Sequence, residues 1–227
     1  MPSLRLEAQE RDTMKLTSIL TKVLMALTGL AWFGFLIGHL TGNFLIYSGP
    51  EAFDAYGRGL RELLHGLVVY LTEIALAVFF ITHMVMGIKT SLKNREARKQ
   101  GYATSGNSGQ STLASRTMLV GGVIIAVFLV LHLYQFRMQW KHDDPSDSLW
   151  GLTVGTIAHP AIGGFYVLAM AFLGMHLSHG FGSAFQTLGI FKPTWRDGLR
   201  KAGRGLGWII ALGFASFPVW AMLTQKV

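Results

Sequence analysis

Residues 63–88 read LLHGLVVYLTEIALAVFFITHMVMGI, with one acidic residue, Glu73, and no lysine or arginine. A hydrocarbon core about 30 Å thick is crossed by about 20 mostly apolar residues in a helix, so this stretch predicts a membrane span. It is too long for an ordinary core strand. Working outward, four further runs have the same character, at about 19–47, 117–136, 157–181 and 205–223. The first exceeds the roughly 7–15 apolar residues of a cleavable signal peptide. The pattern predicts an all-α membrane protein with a single domain, 1–227, built from five transmembrane helices.

Composition agrees. The chain has 227 residues, of which 51% are hydrophobic and 14% charged, against roughly 25% charged in an average protein. Its mean hydropathy is +0.39. There are no cysteines, which excludes disulfides, thiolate zinc sites, cysteine-held iron–sulfur clusters and covalently attached c-type haem.

The net charge of +8 is explained by where the cations fall. Arg5, Arg11, Lys15 and Lys22 lie before or at the start of the first run; Lys89, Lys93, Arg95, Arg98, Lys99 and Arg116 lie between the second and third; Lys192, Arg196, Arg200, Lys201 and Arg204 lie between the fourth and fifth. Only Arg58, Arg61, Arg137, Lys141 and Lys226 fall on the other side. The positive-inside rule then puts the N-terminus in the cytoplasm. No nucleic-acid surface is needed; membrane lipid is the partner these clusters imply, with a cytoplasmic protein partner as a compatible addition. Residues 94–115 are polar, with the run TSGNSG, and read as a cytoplasmic loop.

Eight histidines remain to be placed. His142 lies in a polar outer turn, and His65 and His159 lie at outer entrances to spans, where interfacial hydrogen bonding suffices. His39, His83, His132 and His176 lie deep in apolar runs, one on each of the first four. At about 1.5 Å per residue, His39 and His132 both sit about 25 Å above the inner ends of their outward-running helices. His83 and His176 sit about 25–30 Å along their inward-running helices. Topology thus yields an outer pair and an inner pair. A single intramembrane histidine can be a structural hydrogen-bonder, but four at paired depths suggest function, because ionisable groups in lipid are costly. Two imidazoles on opposite faces of a porphyrin make a six-coordinate haem b, which requires no cysteine; two such pairs predict two haems b in the bundle.

Neighbouring residues fit that expectation. Gly34, Gly38 and Gly42 form a G-x-x-x-G-x-x-x-G line around His39, and Gly174 and Gly180 flank His176. Such lines serve helix packing or leave room for a flat macrocycle, with Gly38 and Gly180 the candidates for the latter. Trp32, Phe33, Phe35, Phe79, Phe80 and Phe128 either wall the haems or face lipid. Haem carboxylates need donors; Arg116 and Arg137 are the leading candidates, before Lys22, Lys89 and Arg204. Glu73 lies near the level of the outer pair and reads either as a structural acid bonded to a neighbour or as a proton-exchanging group for a quinone.

Four stretches carry a family resemblance: GHLTGNF around His39, FFITHMVMG around His83, LVLHLYQFR around His132 and GMHLSHGFGSAF around His176; STLASRTM at 111–118 adds to them. Together they resemble the five-helix, dihaem cytochrome b subunits of succinate dehydrogenase/fumarate reductase over about residues 17–224. The resemblance implies that His83 and His176 ligate the haem nearer the cytoplasm and His39 and His132 the outer one. His176 opens the family's H-x-x-x-G pattern with Gly180, so His179, inside that pattern, is not the ligand. It also implies a flavoprotein and an iron–sulfur subunit docked in the cytoplasm, a cell inner membrane location, and electron exchange with a quinone, often menaquinone. Some relatives carry a glutamate two residues before the fourth ligand; here that position is Gly174, which removes that proton route.

Two other readings stand beside this one. A dihaem cytochrome b can serve a hydrogenase, a formate dehydrogenase or a bc complex, although bc-type helices carry two ligands each and these carry one. A haem-free transporter would use the histidines as a proton path; it expects charged or broken segments near the midplane, where only Glu73 qualifies.

Overall fold

The computed structural model describes the backbone of residues 2–96, 117–141 and 147–225, and side chains from residue 18 onward apart from Arg95. Among the described residues there are seven α-helices and no strand. They are α1 (Pro2–Asn43), α2 (Pro50–Glu62), α3 (Leu67–Glu96), α4 (Met118–His132), α5 (Leu149–Ala158), α6 (Pro160–Leu188) and α7 (Arg196–Thr224). Five helical segments are long and apolar enough to cross a membrane: Ser18–Ser48, Pro50–Asn94, Met118–Arg137, Pro160–Leu188 and Pro193–Thr224.

Boundaries differ from the hydropathy reading for local reasons. The second run does not enter its span at residue 63. Leu64, His65 and Gly66 all take left-handed backbone angles, with φ of 49°, 55° and 82°, and α3 begins only at Leu67. Before this turn lies α2, an amphipathic helix that hydropathy alone does not register; it starts at Pro50 in the first turn, where a missing N–H costs nothing. The fourth run is likewise interrupted. His159 is extended because Pro160 follows it, and this separates short α5, capped by Ser148 Oγ accepting from Gly151 N, from α6. The third span ends in a π-helical turn, Leu133–Arg137, directly after His132.

The spanning helices form a ring. α1 packs between α3 and α6, and α6 between α1 and α4; α3 and α4 meet only sparingly. α7 lies outside, packed along α6 and touching α1. The α6–α7 seam is close because small residues face it. A Cβ on Gly207 would come within 2.8 Å of Ser178 N, and one on Gly174 within 2.9 Å of the Trp208 ring. In lipid such close packing replaces the hydrophobic drive that water supplies. Across the ring, α1 scarcely approaches α4 through the backbone, nor α3 α6. The two diagonals are therefore bridged by side chains.

One end of the ring is covered by α2 and α5. Trp150 N donates to Asp54 Oδ1 (2.7 Å) and Trp150 Nε1 to Ile46 O (2.8 Å). Phe53, Ile46, Val154, Ile157 and Ala158 are buried beneath.

Candidate functional site

Each deep histidine reaches across one diagonal. His39 of α1 meets His132 of α4 with ring centroids 5.9 Å apart and planes at 88°. His83 of α3 meets His176 of α6 with centroids 6.0 Å apart and planes at 63°. These are the partners that helix direction and rise assign. The first pair lies toward the α2/α5 end. The second lies at the level of Met25, Thr28 and Gly29 on α1.

Aromatic rings hold the imidazoles in place. Phe35, one turn before His39, stacks on it at 5.2 Å and 15°. Phe128 stands in the same relation to His132, at 5.5 Å and 27°. Both are i, i+4 contacts along one helix face. Phe214 of α7 and Tyr166 of α6 also border this pair.

Polar contacts of the four rings are few. His83 Nδ1–H donates to Met25 O at 3.0 Å, with Thr28 Oγ1 at 3.5 Å. This bond leaves the lone pair on His83 Nε2. The Asn43 side-chain amide donates to His39 O (2.7 Å) and lies 3.3 Å from His39 Nδ1. The Nδ1 atoms of His132 and His176 are buried without a partner. Among the described residues, no hydrogen bond reaches Nε2 of any of the four. A small groove lined by Thr117, Met118, Gly121, Phe172 and Met175 leads to His176.

The glycine line divides. A Cβ at Gly34, Gly38 or Gly180 would meet nothing within 4 Å, so these positions pack no helix; a Cβ at Gly42 would run into the Tyr56 ring, so Gly42 serves packing.

A second polar constellation flanks the His39/His132 pair. Arg137, on the π turn, makes a bidentate contact to Glu73 of α3, Nε–Oε1 2.6 Å and Nη2–Oε2 3.3 Å. Arg61 of α2 lies 3.8 Å from the same carboxylate and above the Trp140 ring. This is the strong polar tie across the sparse α3–α4 seam. Glu73 is thus bonded to a neighbour, as one of its two expected roles requires, and Arg137 places two donors on that carboxylate. Tyr166 Oη donates to Gln135 Oε1 (2.6 Å), anchoring the same π turn to α6.

The remaining sites are quickly placed. His65 and His159 are exposed, and His179 is half-buried one turn beyond His176. Arg116 and His142 lie outside the described residues. Sequence reasoning missed Asn43 and the Met25 carbonyl, whereas Arg61 was already placed at the outer face beside Glu73 and His65. A carbonyl leaves no mark in a sequence, but Asn43 lies one helical turn past His39 and was findable by the i, i+4 rule.

Among the described residues, no three histidine or carboxylate side chains converge as a metal site; the donors come in opposed twos. No known family, curated protein or solved structure matches this chain.

Proposed function

We propose that the protein is the dihaem cytochrome b membrane-anchor subunit of a succinate:quinone oxidoreductase. One observation carries this reading: two imidazole pairs, at two depths, each bringing its two rings together across a diagonal of the ring. The ring spacings of 5.9 and 6.0 Å would let His39 with His132, and His83 with His176, each hold one metal atom between them through bonds of about 2.0–2.1 Å. The donor set also fits. Half-buried imidazoles whose Nε2 meets no protein donor or acceptor keep that nitrogen available to a ligand, and opposed pairs suit a metal whose other ligands come from a macrocycle. Bound between them, haem b would supply one-electron transfer with no open position for oxygen.

The chain's own residues orient and insulate this arrangement. Met25 O fixes the His83 tautomer, as backbone carbonyls bonded to the other ring nitrogen do for metal-bound imidazoles. Phe35 and Phe128 hold the outer rings. The α2/α5 cover keeps water from the His39/His132 end. Glu73 and Arg137 lie beside that layer at a sparse seam open to lipid, where a quinone headgroup can approach; Glu73 takes or gives the proton and Arg137 holds its carboxylate. By the resemblance, the quinone is menaquinone, the flavoprotein and iron–sulfur subunits dock on the cytoplasmic face, and the complex sits in the cell inner membrane. Succinate chemistry belongs to those subunits: this chain has neither a flavin fingerprint nor cysteine ligands.

The test is a reduced-minus-oxidised spectrum with pyridine haemochrome quantification on the complex purified from membranes. Two haems b per chain, with a succinate-oxidising flavoprotein in the same preparation, are expected. A colourless preparation, or one haem, ends the reading; two haems with a hydrogenase or formate dehydrogenase subunit would move the chain to another quinone-linked complex.

A further inference from the structure

Trp32 presents a problem that the chain does not solve. Its indole nitrogen is buried and has no hydrogen-bond partner. Indole N–H is a donor only, and a buried Trp N–H normally finds an acceptor. Leaving one unmet costs the full desolvation of the group.

Its position is informative. Trp32 lies on α1, seven residues before His39 and three after Gly29, where a Cβ would come within 3.0 Å of His83 Cε1. At about 1.5 Å per residue, the indole is about 10 Å below the His39 level and about 5 Å above the His83 level. It thus stands between the two histidine layers. The rings against it are Phe35 at 5.5 Å, which stacks on His39, and Phe80 at 5.9 Å, one turn from His83. These neighbours offer no acceptor. A bridging water would need two to four polar partners, and aromatic surroundings do not supply them. The other buried unpartnered atoms on facing helices include His132 Nδ1 and His176 Nδ1, members of the same two pairs.

We infer that Trp32 is a binding residue for a cofactor carboxylate, its Nε1–H donating to a propionate oxygen. This rests on the dihaem reading: the iron-bound nitrogens of a haem b accept nothing, so its propionates are the only acceptors it brings. The bond is charge-assisted and correspondingly strong. It also gives Trp32 a role that lipid-facing or packing aromatics lack.

The test is resonance Raman spectroscopy of the purified complex, with haem content measured in parallel. In Trp32→Phe, the ring is kept and the donor lost. Two haems should remain, the propionate bending band of one should shift, and one haem potential should move with it. Trp32→His, which restores a ring donor, should return the band toward wild type. Phe80→Leu, which loosens the packing and leaves the donor, should leave the band in place. An unchanged band in Trp32→Phe overturns the inference, as does the same shift in Phe80→Leu, which would make the effect one of packing. If both Trp32 variants lose haem while Phe80→Leu keeps two, the inference also fails, because one hydrogen bond does not decide assembly. A wild-type protein without haem would instead overturn the dihaem reading itself.

Discussion

A neutral imidazole can sit in lipid and still offer a nitrogen lone pair, and the residue-scale predictions follow from that. His39→Ala or His132→Ala should remove one haem and largely spare the other, since each ring has its partner only within its own layer. Pyridine haemochrome should then fall by about half, and loss of both haems or of neither would falsify the pairing. Glu73 belongs to the same scale. Its carboxylate is held by two Arg137 donors and approached by Arg61. Glu73→Gln should leave both haems in place and slow quinone turnover by about a hundredfold, the lower range for a general acid–base group. Unchanged turnover would assign the residue to holding α3 against α4.

At the scale of elements, the places where helices stop are where the protein departs from regularity. Leu64 and His65 hold left-handed backbone angles without being glycine, at a cost of roughly 1–2 kcal/mol each. His65→Gly should therefore raise stability by about 1 kcal/mol, read as a higher Tm in detergent; a lower Tm would mean that the imidazole makes a contact worth more than the strain. The α6–α7 seam makes the opposite prediction. Gly207→Ala would force a methyl to 2.8 Å from the Ser178 backbone nitrogen, and overpacking of this kind costs about 1–3 kcal/mol. Gly205→Ala, two residues earlier on the same helix, meets nothing and should not lower Tm. The two glycines look alike in the sequence, and only the neighbour each faces tells them apart.

For the whole molecule, orientation is the property to measure. The absence of cysteine makes single-cysteine labelling clean. The positive-inside rule proposes a cytoplasmic N-terminus; on that orientation Lys192→Cys should react only after the cytoplasmic face is exposed, and Glu51→Cys should react in intact cells. The reverse pattern would invert the topology and move the proposed partners to the other side. The number of spans and the two histidine depths were legible in the sequence, because hydrophobic thickness sets helix length and rise sets height. Those are one-dimensional quantities that a chain carries along itself. The separate α2 and α5 were not, because their stops are set by three left-handed residues and by Pro160 against His159, which hydropathy averages away. Nor was the meeting of Glu73 with Arg137, sixty-four residues apart, nor the orphaned Trp32 nitrogen. Both depend on which helices stand side by side and which face each other across the ring. That arrangement is a property of packing in the membrane plane, where height along the chain carries no information.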